Sequence, residues 1–229
     1  MKMPAASFDE IRALSVELPA GTFVWQTQKE HPRIILYAAT HGIALSHPGG
    51  SVQEMTELVE DIVAGRGPLH ALAEQADADL RLYDLALDRP TRSPGPAMDE
   101  ADACRAAAYG MMAVEPGVDI FVTAAIGPGA ELAAQAVLAG DGDPLELLAT
   151  RGGPDIAAIL GVILASRLAG IPLILDGAAA YAAAKIAAGL NPHALGHCRA
   201  ATDNAAGLTS ILSASAGSPL SGVRALMQI

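Results

Sequence analysis

Residues Asp143 to Gly177 limit the possible folds more than any other stretch of the chain. A short helical segment reaches Gly152-Gly153, and a strongly apolar helix follows, with Pro154 at its first position and glycines free to adopt positive φ. Ile171-Pro-Leu-Ile-Leu175 then reads as an apolar strand ending in Asp176-Gly177. Helix, glycine turn, helix, strand and acidic tip make one α/β unit whose polar groups gather at one end.

The same alternation runs through the chain. Ser7 and Glu10 form a capping box for a helix reaching about Leu18, before Pro19. Strands are predicted at 33–39, 80–87, 118–126 and 171–175, with a possible short one near 194–198. Helices are predicted from Ser51 to about 64, then over 68–76, 99–113, 130–139 and 178–189, with weakly patterned helices from the last strand to Ile229. The Pro-, Arg- and Ser-rich residues 88–97 read as a loop. The expected fold is α/β: a mostly parallel sheet with helices on both faces (a Rossmann-like three-layer arrangement) and a small helical addition at the termini. Residues 1–229 read as a single domain, with 1–30 a helical N-terminal segment.

Composition narrows the function. Apolar residues make up 52% and aromatics 3%, so small side chains carry the packing. A formal net charge of −11 argues against nucleic acid, whose phosphates it would repel. No uninterrupted apolar run approaches about 18 residues, and the start lacks a signal-peptide core, so no membrane span is expected. Cys104 and Cys198 form no CxxC pair, which points to a reducing, cytoplasmic setting without structural zinc. His70, His193 and His197 lack metal-ligand spacing, and no cofactor is implied.

In a parallel sheet, ligands collect beyond the carboxyl ends of the strands. That rim would carry Thr40-His41-Gly42, Asp84, Gly127-Pro128-Gly129 and Asp176-Gly177. His41 either touches a ligand or caps the turn at Gly42. Asp84 and Asp176 either meet a ligand or fix loops and helix ends. Gly152-Gly153 is an anion cradle or a tight turn. Cys198 beside His197 suggests a nucleophile, but no orienting acid is evident. Lys185, in an Ala-rich helix, reads as lying on a solvated face.

Several of these segments resemble nicotinate-nucleotide:dimethylbenzimidazole phosphoribosyltransferases. Asp143–Gly161 carries the strongest resemblance. Ala38-Ala-Thr-His-Gly-Ile43 is similar to the family's Ala-Ala-Asp-His-Gly-Val, Val52-Gln-Glu-Met-Thr56 to its Gln-Glu-Val-Thr, and Tyr83-Asp-Leu-Ala-Leu87 to its Val-Asp-Val-Gly-Val. The resemblance implies transfer of phosphoribose from nicotinate mononucleotide to a benzimidazole nitrogen, in making the lower-ligand nucleotide of cobalamin. It further implies a homodimer, a small-molecule base or nucleotide as ligand, Gln53 beside the base, and the Gly152-Gly153 pair near the nucleotide. Arg199 matches the Arg of a family Ser-His-Arg-Ser segment and would meet a phosphate or a buried carboxylate.

The sequence departs from the family at its chemical motifs. Family Gly-Glu-Met-Gly-Ile-Gly-Asn-Thr-Thr aligns with Ala124-Ala-Ile-Gly-Pro-Gly-Ala-Glu-Leu132, keeping Gly127 and Gly129 but placing Ala125 at the acid and Glu131 at the helix start. Only Gly140-Asp-Gly142 stands where the family has a Gly-Arg-Gly-Thr-Gly run and a Lys. The family's catalytic Glu, its general base, aligns beyond Ile229, so no catalytic residue is identified. The resemblance therefore implies either that transferase or a relative that binds a benzimidazole- or purine-like base, or its nucleoside, without turnover. Partnering a complete family member is a further alternative.

Overall fold

The structure, a computed structural model, describes residues 7–25, 30–46 and 52–201. Among the described residues, five parallel strands lie in the order β2-β1-β3-β4-β5: β1 (Pro32–Ala39), β2 (Asp79–Ala86), β3 (Ile120–Ile126), β4 (Leu173–Leu175) and β5 (Cys198–Ala200). β1 is buried along its whole length because successive side chains enter two different cores. Ile35 and Tyr37 face one layer; Ile34, Leu36 and Ala38 face the other.

The smaller layer consists of α2 (Val52–Val63) and α3 (Pro68–Gln75), which connect β1 to β2. The larger contains α1 (Phe8–Val16), α4 (Glu100–Met112), α5 (Ala130–Leu138), α6 (Pro144–Arg151), α7 (Pro154–Ala169) and α8 (Ala178–Leu190). The chain leaves β1 in one direction and returns past it to reach β3. Right-handed crossovers then place the connecting helices on opposite faces. The carboxyl ends of β1 and β3 therefore flank the crevice where winding reverses.

α7 forms the centre of the larger layer. Every residue from Asp155 to Arg167 is buried, as expected of a helix that is apolar on all sides. It meets α4 at two glycines: a Cβ on Gly110 would lie 1.7 Å from the Ala158 carbonyl oxygen, and one on Gly161 would lie 2.0 Å from that of Ala107. Both helices can approach this closely only because neither carries a side chain at its crossing point.

Some expectations need correction. β4 begins at Leu173, not 171: the Ile171 amide still bonds the Ser166 carbonyl, and Pro172 has no amide to give. β3 starts at Ile120, not 118. Residues 194–197 form turns (Ala194 N–H to the Asn191 oxygen, 3.0 Å), and the strand falls at Cys198–Ala200. Among the described residues, the helical part of the N-terminal segment is Phe8–Val16. Beyond it, the Arg167 guanidinium holds the Pro19 and Gly21 carbonyls at 2.6 and 2.8 Å. The helices expected after residue 201 lie outside the described residues.

Candidate functional site at the β1/β3 crevice

β1 ends by handing its backbone to a 3-10 turn, Gly42–Ser46, and three segments lock that turn in place. Thr40 is fully buried; its hydroxyl donates to the Leu87 carbonyl at 2.8 Å, tying β1 to the end of β2. The Gly42 amide donates to the Thr91 hydroxyl at 3.0 Å, and the Thr91 amide donates to the Thr40 carbonyl at 3.1 Å. From the other side, the His41 amide donates to the Pro128 carbonyl at 2.9 Å.

The glycines follow from this crowding. Gly127 has φ +148°, and a Cβ there would lie 1.8 Å from the Ala39 carbonyl oxygen. Gly129, at φ +79°, would meet the Cβ atoms of Ala44 and His41 at 2.9 and 3.1 Å. A Cβ on Gly153 would sit 2.2 Å from Cε1 of the His41 ring. Gly152-Gly153 thus turns tightly against the imidazole, while Gly177, at φ +85°, starts α8 one strand further along.

His41 is 1% exposed, and its Nε2 lies 3.0 Å from a carboxylate oxygen of the fully buried Asp155. The other Asp155 oxygen accepts the Ile156 amide at 2.8 Å, in the first turn of α7. Burial alone would lower the His41 pKa; the Asp155 charge and hydrogen bond, with the nearby Gly152 backbone, raise it above the ordinary value. His41 Nδ1 is buried without a hydrogen-bond partner of normal geometry among the described residues.

Thr40, His41, Gly42, Gly127, Gly129, Gly152 and Gly153 therefore come together in one junction. Asp84 lies beside it, its carboxylate accepting the Leu87 amide at 3.0 Å. Asp176 is buried at the end of β4, its amide bonded to the Thr123 carbonyl at 3.0 Å. Gln53 and Arg199 stand apart. Gln53 is exposed on the first turn of α2 and donates to Glu57 at 3.4 Å. Arg199, exposed on β5, lies with its guanidinium 4.0 Å from the Trp25 ring centroid.

A cavity of about 660 Å³ opens next to the junction, bounded by the end of β2, loop 88–97, α4 and Pro154. Asp84 lines it, as do Tyr83 and Tyr109. Sequence reasoning overlooked Asp155 as the partner of His41 and, apart from Asp84, the cavity residues. The only signal for Asp155 was one acid opening an otherwise apolar helix.

One further expectation changes. Lys185 is not on a solvated face: its ammonium caps α5, donating to the Leu138 carbonyl at 2.7 Å and to those of Val137 and Gly140. The alanines of Ala178–Ala184 are buried in the core. At Cys198, burial raises the thiol pKa. His197 is pushed down to about 3 by burial and the Arg167 charge, and its Nε2 lies 2.8 Å from the Ser166 hydroxyl. This is a packed, neutral pair and not a nucleophile.

A family model described as phosphoribosyltransferase matches residues 1–141 and 139–220. The nicotinate-nucleotide–dimethylbenzimidazole phosphoribosyltransferase of Brucella anthropi is 32% identical over 236 residues, covering 85% of this chain and 70% of that protein. The chain belongs to this phosphoribosyltransferase family. The phosphoribosyltransferase of the same name from a Ruegeria species is 33% identical over 215 residues, covering 77% of this chain and 64% of its own length. The crystal structure of the nicotinate-nucleotide–dimethylbenzimidazole phosphoribosyltransferase from Thermus thermophilus superposes with a TM-score of 0.76 at 20% identity, covering 88% of this chain and 81% of that one, and so shares the phosphoribosyltransferase fold. The two matched segments overlap at residues 139–141, which include Gly140 and Asp141.

Proposed function

We propose that this chain transfers phosphoribose from nicotinate mononucleotide to a benzimidazole-type nitrogen, the reaction named for its relatives and one that builds the lower-ligand nucleotide of cobalamin. The observation that carries the reading is the glycine junction: Gly127, Gly129 and Gly153 close around His41 at the crevice where a parallel sheet takes its ligands. In that reaction the base nitrogen bonds to C1′ of the ribose. The bond from C1′ to the nicotinate ring breaks, its electron pair returning to the ring nitrogen, and the base releases its N–H proton. Incubation with nicotinate mononucleotide and dimethylbenzimidazole should give the ribosylated base phosphate. No such product at high protein concentration overturns the proposal.

One observation favours a second reading, binding without turnover. α5 opens with no side-chain cap among the described residues, and Glu131 lies in its first turn, setting a carboxylate where a phosphate would otherwise meet free amides. In that case benzimidazole or its nucleoside raises the melting temperature while no product forms.

A homodimer in the cytoplasm belongs to the same proposal. Two buried, unbridged cysteines suit a reducing compartment. Val16 on α1 and Met112 on α4, helices that pack together, are exposed apolar residues that suit a subunit contact. Light scattering should return twice the 23.3 kDa chain mass.

A further inference from the structure

His41 stands between two walls of the cavity beside the junction. Thr91 belongs to one wall and Pro154 to the other. The residues on either side of His41 hold the first: the Thr40 carbonyl takes the Thr91 amide at 3.1 Å, and the Gly42 amide donates to the Thr91 hydroxyl at 3.0 Å. The imidazole holds the second. It packs against Gly153 and meets Asp155 at 3.0 Å, and these are the chain neighbours of Pro154. Loop 88–97 and the start of α7 thus meet at one residue that is 1% exposed.

Each ring nitrogen faces a different part of the second wall. Nε2 lies against the Asp155 carboxylate, whose other oxygen is fixed by the Ile156 amide at 2.8 Å. Nδ1 faces the glycine turn, where a Cβ on Gly153 would lie 2.8 Å from it. A neutral imidazole has one N–H and serves one acceptor; only the imidazolium has two. With one proton gone, an acceptor is left facing a nitrogen lone pair in a site closed to water, where repulsion is weakly screened. The other charges on the surrounding elements are engaged elsewhere. Asp84 on β2 takes the Leu87 amide, and Arg89 and Arg92 lie beside Asp88 and Asp99. Glu131 on α5 accepts from Gln135, Arg151 on α6 donates to the Ala136 carbonyl, and Gly42–Ser46 carries no charge. Burial works against a charged ring; the Asp155 carboxylate opposes it and raises the His41 pKa, with the Gly152 backbone adding to the effect.

We propose that doubly protonated His41 is a positioning residue: it holds the Gly152-Gly153 turn, and with it the Pro154 wall, in register with the Thr91 wall, and losing one proton loosens the two walls. The buried ring acts through these walls and not on substrate. The inference rests on the transferase reading for one consequence alone, a KM that rises with pH while kcat stays level.

A pH titration of the full chain by NMR tests it, following the His41 Cε1–H signal and the amides of Thr91 and Gly153. Both amides should shift with the midpoint of His41 itself, above about 6.5. The Gly170 amide, at the far end of α7, should not follow. In Asp155→Asn the His41 midpoint should drop by about one pH unit or more, and both amides should drop with it. If that variant does not fold, the wild-type titration decides. Amides that ignore the His41 midpoint overturn the inference, as does a Gly170 amide that moves in step, the sign of a general change in fold. Kinetics supply the second readout. Above about pH 7, where a phosphate monoester is already ionised, KM for nicotinate mononucleotide should rise about fivefold or more through the His41 midpoint. A ring that only stabilises the fold would leave KM flat. Product formation separates the two proposals. Amides that follow His41 without product leave the positioning role standing and remove the transferase reading; product with a KM that is flat across the midpoint does the reverse.

Discussion

Gly153 shows how a single position can tie together segments that are distant in sequence. Its missing side chain makes room for the His41 ring, and the ring in turn reaches Asp155. Gly153→Ala should cost about 2 kcal/mol or more, because the added methyl must displace a buried imidazole; urea unfolding gives the value. His41 also makes stability depend on pH. Its pKa is raised in the folded state, so its contribution is complete below about 6.5 and is lost as pH rises through the raised value. The urea midpoint should therefore fall as pH rises above about 6.5 in the native protein, and His41→Asn should flatten that fall. A steeper decline in the variant would remove His41 as its source. The glycine pair and His41 could be recognised in the sequence, but their contact could not. His41 and Asp155 stand 114 positions apart, and no local pattern encodes which buried acid a buried histidine will find.

Most elements were legible to within a residue or two, because caps and apolar runs are local; the last strand, expected near 194–198, instead begins at Cys198. Ser7 and Asp99 cap α1 and α4 as their positions suggest. Long-range polar contacts were not legible, as Lys185 shows. In an alanine-rich helix its charge reads as surface, yet it ends α5 by taking carbonyls 45 to 48 residues away. Lys185→Met should destabilise the protein by about 1–3 kcal/mol, since part-buried carbonyls lose a charged donor. Chemical denaturation measures it, and no change would mean that water replaces the ammonium. The α4–α7 crossing should be more sensitive. Gly161→Ala should cost about 3 kcal/mol or more, because a methyl 2.0 Å from a backbone oxygen forces the helices apart.

At the scale of the molecule, alternating helices and strands indicated a parallel, two-sided sheet. Strand order was not readable, since it depends on which crossover reverses direction. The cavity was also not readable: Arg89 and Arg92 sit in a loop, Arg105 and Tyr109 on a helix and Tyr83 on a strand, and only the fold brings them together. A second histidine opposes His41 in its effect on the whole. His197 stays neutral down to about 3, so its contribution is present above about 6.5 and lost as pH falls toward 3. Native stability should therefore peak near neutral pH, and His197→Asn should flatten the acid limb alone.

The burial of α7 on every side also sets how the molecule opens. Its amides can reach solvent only after α4, α8 and the sheet have separated from it, so no small fluctuation exposes them. In deuterated water, the amides from Ile159 to Leu164 should be among the last to exchange, at a rate set by global unfolding. Loop 88–97, exposed over most of its length, should exchange well before them.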